Sequence, residues 1–131
     1  MNTRLTQEAL ASRARAVLRG LHSSLAEVEA SAVVTRDGIT VASLLSSGTD
    51  PDRFGAMCAS LLALAARASK EVDRGNLRQI ILDGQQGPLL LTHGGDSAVL
   101  AVAATPRANL GRLILETRRV ATDLAALWAQ A

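Results

Sequence analysis

Residues 53–83 read RFGAMCASLLALAARASKEVDRGNLRQIILD, and this stretch decides the fold. It predicts one long helix from Arg53 to Arg74, a break at Gly75 and a strand from Leu77 to Leu82. Apolar residues recur in the helix at spacings of three and four, which predicts a shared face lying on a sheet. These residues are Phe54, Met57, Cys58, Leu61, Ala65, Ala68 and Val72.

The opposite side of this helix is small in its first half and basic in its second. It carries Ala56, Ser60, Ala63, Arg67, Lys70 and Arg74. Small side chains let another backbone approach closely. The strand that follows has aliphatic groups on both faces. A second helix face beside an apolar strand indicates a surface for a partner rather than a catalytic pocket.

The amino-acid composition predicts a single folded domain and argues against nucleic-acid binding. The 131 residues predict one domain, residues 1–131, and 48% hydrophobic residues suit a folded core. Aromatic residues make up only 2%, which argues against stacking on bases. The net charge is +2, and the arginines are scattered among acids, so a nucleic-acid partner is not expected.

One cysteine and two histidines leave little chemistry for a metal or cofactor site. Cys58 is expected to be a small core residue, with no disulfide within the chain. The chain opens without an apolar signal segment, and no apolar run approaches the length of a membrane span. We therefore expect a cytoplasmic protein without metal or cofactor.

The remaining chain predicts two helices and four strands around the central stretch. The first helix is expected at Thr3–Leu25, with Thr6 as an alternative N-cap and Gly20 as an alternative end. Its expected buried side is Leu5, Ala9, Ala16, Val17, Leu21 and Leu25. A hairpin follows, with strands Ala32–Thr35 and Ile39–Leu44 around Asp37-Gly38, where both turn positions favour positive φ. Asp50 and Pro51 then suit an N-cap and first helical position.

Two further strands and a helix complete the chain. The strands are Pro88–Thr92 and Ala98–Ala103, separated by glycine-bearing turns at 83–87 and 93–96. The last helix is expected at Asn109–Trp128, with Asn109 or Thr105 as its N-cap. Its buried side is expected to be Leu110, Leu113, Ile114, Val120, Leu124 and Leu127. The order αββαβββα with hairpin connections predicts an antiparallel sheet covered by helices, an α+β fold.

Catalytic interpretations find little support. Asp37 as a catalytic carboxylate is less favoured than Asp37 as a turn residue, because no second acid or histidine is placed to help it. The glycine turns lack a phosphate-loop motif, and His93 is expected to be a turn residue. No Ser–His or Cys–His pairing, paired carboxylates or metal-ligand spacing is predicted, so the chain is not expected to be an enzyme.

Several segments resemble the roadblock/dynein light chain family. They are residues 32–43 (AVVTRDGITVAS), 76–84 (NLRQIILDG), 87–91 (GPLLL), 95–102 (GDSAVLAV) and 109–111 (NLG). The resemblance implies a roadblock/profilin-like α/β sandwich. Its five-stranded sheet would have the order 2-1-5-4-3, with the central helix on one face and the outer helices on the other.

The resemblance also implies a homodimer in which the third strands pair and the central helices pack together. The dimer interface would then involve Ala56, Ser60, Ala63, Leu77, Gln79, Ile80 and Ile81. An apolar edge strand needs such a partner.

The function implied by the resemblance is regulation without catalysis. Bacterial members of the family often bind small Ras-like GTPases, some as GTPase-activating partners, and eukaryotic relatives serve as dynein subunits or as scaffolds for Rag-type GTPases. Carried over by element, the partner-binding residues would be Ala63, Arg67, Lys70 and Arg74. An arginine finger at Arg67 is the less favoured interpretation. The alternative function is a dimeric scaffold or adaptor of a signalling or motility complex that leaves GTP hydrolysis unchanged.

Overall fold

The computed structural model describes residues 4–131, and within them it contains three helices and five strands. In chain order they are α1 Gln7–Ser24, β1 Val28–Thr35, β2 Thr40–Leu44, α2 Pro51–Glu71, β3 Gln79–Gly84, β4 Gly87–Gly94, β5 Ala98–Ala104 and α3 Leu110–Trp128. The predicted order αββαβββα is confirmed.

The strands form one antiparallel sheet in the order β2-β1-β5-β4-β3, as predicted. β1 and β5 lie at its centre, where Val33 pairs with Leu100. β3 pairs with β4 alone, from Gln79 opposite Thr92 to Gly84 opposite Gly87. β2 and β3 are therefore the two edge strands.

The two faces of the sheet carry cores of different size. α1 and α3 cover one face, and the core there contains large aliphatic side chains such as Leu18, Leu100 and Leu124. α2 covers the other face, over a smaller core. Its buried residues are Ala32, Val34, Cys58, Leu62, Leu91, Val99 and Ala101. The predicted division of helices between the faces is confirmed.

Each helix begins at a capping side chain that satisfies a free backbone N–H. Thr6 Oγ1 accepts from the Ala9 N–H at 3.1 Å, and Asp50 Oδ1 accepts from the Asp52 N–H at 3.0 Å. Asn109 Oδ1 accepts from the Arg112 N–H at 3.0 Å. All three predicted caps are confirmed. The first helix thus begins at Gln7, while the alternative start at Thr3 lies outside the described residues.

The hairpin between β1 and β2 holds the start of α2. Gly38 has φ +92°, and its N–H donates to the Thr35 carbonyl at 2.9 Å. Asp37 does not take positive φ, so that part of the turn prediction is wrong. A Cβ at Gly55 would clash with Thr40 Oγ1, and the Thr40 hydroxyl donates to the Pro51 carbonyl at 2.7 Å. A glycine at this point lets α2 approach the hairpin closely.

Several predicted helix faces need correction. In α1 the buried residues are Leu10, Ala14, Leu18 and Leu21, whereas Ala16 is exposed. In α2, Met57 and Val72 are each 62% exposed and Ala68 is exposed too. In α3, Leu110 is 41% exposed. Helical spacing identifies an apolar face but does not say how much of that face the sheet covers.

The strand boundaries also differ from the prediction, because the strands extend into both expected glycine turns and leave the first turn at residues 85–86. β3 begins at Gln79 and reaches Gly84, and β4 runs from Gly87 to Gly94, so His93 is a strand residue. Gly87 has φ +122°. α2 ends at Glu71 rather than Arg74, and Asp73 and Gly75 follow with φ +59° and +79°.

Candidate interaction surface

The outer edge of β3 lacks a strand partner among residues 4–131. Ile81 and Leu82 on this strand are 42% and 39% exposed, which is high for large aliphatic side chains. Backbone N–H and C=O groups on such an edge are free to pair with another strand. The edge therefore combines unpaired backbone groups with apolar side chains on both faces.

An apolar groove lies beside this edge, on the α2 face of the sheet. α2 packs chiefly on β1, β2 and β5, which leaves the ends of β3 and β4 uncovered. The groove has a volume of about 560 Å³. Its α2 wall includes Phe54, Met57, Leu61 and Leu64, and its floor is Leu82, Leu89 and Leu91. Met57 and Leu64 are 62% and 63% exposed, so a large apolar area faces water.

The seven residues predicted for a dimer interface fall into distinct positions. Ala56 and Ser60 lie at the groove, whereas Ala63 lines a small cavity on the other side of α2. Leu77 and Ile80 pack partly buried against the smaller core, and Ile81 is exposed on the opposite face of β3. Gln79 lies beside Ile80 but turns its side chain towards α3, where its Nε2 donates to Thr117 Oγ1 at 3.2 Å.

The sequence prediction missed the groove itself. Helical spacing places Met57 on the covered face, and it indicates no role for Leu64 or Leu89. The sequence feature that could have predicted the groove is the width of the apolar face on α2. This face includes Leu64 as well as Phe54 and Val72. α2 packs chiefly on β1, β2 and β5, and Phe54 and Leu64 on the same helix line the groove.

The second half of α2 and the turn that follows it present three exposed cations: Arg67, Lys70 and Arg74. None of them has a carboxylate oxygen within 4.0 Å among residues 4–131. Arg74 Nε donates to the Val72 carbonyl at 3.0 Å, which holds it at the helix end. These charges remain available to an acidic partner.

One serine–histidine contact contradicts the expectation that none would occur. His22 Nε2 lies 2.8 Å from Ser31 Oγ. Ser31 is only 1% exposed, so no substrate can reach its hydroxyl, and the contact ties α1 to β1. Burial lowers the pKa of His22, which keeps the imidazole neutral near pH 7.

The other reactive residue is equally enclosed. Cys58 is 3% exposed, and burial raises the pKa of its thiol to about 11. The thiol is therefore protonated near pH 7 and is a poor nucleophile. Across residues 4–131, no three histidine, cysteine or acidic side chains are grouped as metal ligands. In the same part of the chain, no helix has the length and apolar character needed to cross a bilayer.

Comparison with known proteins identifies the family. Residues 14–104 match the model of the Roadblock/LC7 domain. This chain belongs to the Roadblock/LC7 domain family. Relatives of this roadblock domain include an uncharacterized protein of Methanocaldococcus jannaschii that is 31% identical over 101 residues, which are 77% of this chain and 85% of the relative.

Solved structures confirm the roadblock/profilin-like fold. Myxococcus xanthus MglB superposes with a TM-score of 0.83 at 19% identity, covering 91% of this roadblock domain and 90% of MglB. The gliding protein MglB of Thermus thermophilus gives a TM-score of 0.82 at 18% identity, covering 100% and 99% of the two chains. Profilin of Schizosaccharomyces pombe gives 0.66 at 14% identity, covering 86% and 97%.

Proposed function

We propose that this chain, acting as one roadblock domain, forms a homodimer that regulates a small Ras-like GTPase in the cytoplasm. The free edge of β3 beside the apolar groove is the observation that carries the proposal. Pairing of two β3 edges would satisfy the backbone groups along Gln79–Gly84. The same step would bring a second α2 over the groove.

The exposed groove residues supply the driving force for this assembly. Burying a large apolar side chain contributes about 1.5–3 kcal/mol. Met57, Leu64 and Leu82 are all more than one third exposed. Ile81 adds an exposed apolar side chain on the opposite face of β3. A stable interface buries roughly 1,200 Å² or more, and paired strands plus paired helices suit that size.

The dimer would offer its partner the outward side of α2. Ala63, Arg67, Lys70 and Arg74 do not line the groove and would stay exposed if it were covered in this way. We propose that these residues bind the GTPase and favour one arrangement of its switch segments, without a catalytic residue from this chain. GTPase activation is one form of such regulation. Family membership and three cations without ion pairs support this assignment.

The test mixes the purified chain with the Ras-like GTPase encoded nearest to its gene. The GTPase is loaded with GDP or with a non-hydrolysable GTP analogue, and complex formation is measured by light scattering after gel filtration. We expect a complex in one nucleotide state and a changed rate of GTP hydrolysis. The variant R67A/K70A should weaken the complex, whereas the control R112A on α3 should not.

The other results of this binding test would each change the proposed function. A complex with unchanged GTP hydrolysis would identify the chain as a scaffold. Absence of a complex in both nucleotide states would overturn the GTPase proposal while leaving the dimer proposal intact. Equal weakening by R67A/K70A and R112A would show that the α2 surface is not the docking site.

A further inference from the structure

A second cavity lies on the other side of the sheet from the groove, between α3 and the strands β3 and β4. Its volume is about 460 Å³, and we refer to it as the α3 cavity. Arg78 precedes β3, Arg118 lies on α3, and both line it. Cavities of this size hold small ligands in many proteins, which have pockets of roughly 300–1,000 Å³.

The two guanidinium groups have no negative partner. Neither Arg78 nor Arg118 has a carboxylate oxygen within 4.0 Å among residues 4–131. No aspartate or glutamate lines the α3 cavity. The neighbouring Arg119 differs, because it pairs with Glu116 at 2.9 Å and with Asp123 at 3.7 Å. The α3 cavity therefore has a positive wall without internal compensation.

A buried hydroxyl adds a third donor to this wall. Thr92 is 5% exposed and lines the α3 cavity. Gln79 Nε2 donates to Thr92 Oγ1 at 2.7 Å and to Thr117 Oγ1 at 3.2 Å, while the Thr117 hydroxyl donates to the Ile114 carbonyl at 3.0 Å.

The direction of these bonds follows from donor counting. The Thr117 hydroxyl has one hydrogen and gives it to Ile114, so Thr117 accepts from Gln79. The same Gln79 amide nitrogen faces Thr92, so Thr92 accepts as well. The hydrogen of the Thr92 hydroxyl has no acceptor within this network. It is available to a ligand in the α3 cavity.

Small residues keep the α3 cavity open on its remaining side. Gly95 lies opposite Ala125, and a Cβ at Gly95 would come within 3.2 Å of the Ala125 Cβ. Gly95 also has φ +71°, which other residues rarely adopt. Ala121 stands one helical turn before Ala125 on α3 and lines the same space. Larger side chains at these positions would fill the cavity.

We propose that the α3 cavity binds the phosphate group of a small phosphate monoester. The two guanidinium groups can only donate, and the Thr92 hydroxyl, which accepts from Gln79, has its hydrogen left to donate. This set of donors fits a ligand whose oxygens only accept. A phosphate monoester carries about −1.5 to −2 charges near pH 7, which matches two arginines better than a single carboxylate does. The planar guanidinium also binds phosphate oxygens in pairs. All residues of this site come from one chain, so it requires neither the proposed dimer nor its GTPase.

The test is a titration of the ¹⁵N-labelled full chain with glycerol 2-phosphate, followed by amide chemical shifts at constant ionic strength. We expect saturable shifts at Thr92 and Gly95. R118Q and R78Q should each weaken binding about tenfold or more, since each removes hydrogen bonds between charged groups. R112Q on α3 removes the same charge outside the cavity and should leave the affinity unchanged.

Two further experiments distinguish the contribution of the ligand's charge from that of the space in the α3 cavity. A125L fills the α3 cavity without removing a charge and should abolish binding, with circular dichroism confirming that the variant is folded. Acetate should bind at least tenfold more weakly than the phosphate monoester. The proposal is overturned by shifts that do not saturate, by equal affinity for acetate, or by equal losses in R112Q and R118Q.

Discussion

At the scale of single residues, a few side chains decide how closely the elements approach each other. Gly55 is the clearest case, because a Cβ there would meet the Gly38 carbonyl oxygen at 3.0 Å and clash with Thr40. Gly20 on α1 is the opposite case, since nothing lies within 4 Å of its Cβ position. Close packing therefore requires a glycine at position 55, whereas packing places no such restriction on position 20.

We expect G55A to lower the free energy of unfolding by about 1–3 kcal/mol, because the added methyl overpacks the contact between α2 and the hairpin. G20A should raise it by about 0.5–1 kcal/mol, because alanine favours the helix and meets no neighbour. Urea unfolding of both variants measures the difference. Equal effects of the two substitutions would contradict the close approach at Gly55.

The two histidines make stability depend on pH. Burial lowers the pKa of His22, and burial together with Arg36 lowers that of His93 against an opposing effect of Asp96. The unfolded chain binds protons at about pH 6.5, before the folded chain does, so protonation favours unfolding. This contribution to stability is present above pH 6.5 and is lost as the pH falls below it.

We therefore expect the midpoint of urea unfolding to be lower at pH 5.5 than at pH 7.5. The double variant H22Q/H93Q should reduce the part of this decrease that comes from histidine. Unfolding curves at the two pH values measure both quantities. An identical pH dependence in the double variant would show that other groups cause the loss.

At the scale of elements, the sequence predicted where helices begin and where turns lie better than where helices end and which of their faces are buried. The Asp50 and Asn109 caps are confirmed because a cap depends on neighbours within three residues. The face of α2 was misjudged at Met57, because the spacing of apolar residues cannot distinguish a covered face from a groove. Thr92 and Gln79 could not be linked from sequence, since β3 and β4 bring them together only in the folded sheet.

The β3 edge yields a prediction about assembly. I81K places a charge on an exposed edge residue, so it should break the proposed dimer while leaving the fold intact. L115K is the matched control, because Leu115 on α3 is 68% exposed and lies on another element. Sedimentation velocity should give a monomer for I81K and a dimer for L115K. A dimer in both variants would mean that β3 is not the interface.

At the scale of the whole molecule, the two faces of the sheet are covered unequally. α1 and α3 together enclose the larger core, and α2 leaves the groove open beside β3 and β4. A model of the family covers residues 14–104, and these include β3, β4 and α2. The groove between α2 and the strands β3 and β4 therefore lies within the part of the chain that matches the family, whereas α3 lies outside it.

A dimer that covers the groove would couple folding to association. We expect the midpoint of thermal unfolding to rise with protein concentration, because mass action stabilises a folded state that associates. Calorimetry of the wild-type chain over a hundredfold concentration range measures this rise. I81K should show no such dependence, and a wild-type midpoint independent of concentration would argue against a dimer.

The half-covered sheet has a consequence for dosage. If two copies join as proposed, the chain is mostly monomeric with an exposed groove in a cell that holds few molecules. In a cell that holds many molecules it is mostly dimeric and able to bind its partner. Expression level would then tune signalling output before any nucleotide is exchanged. Proteolysis of lone subunits would sharpen that threshold.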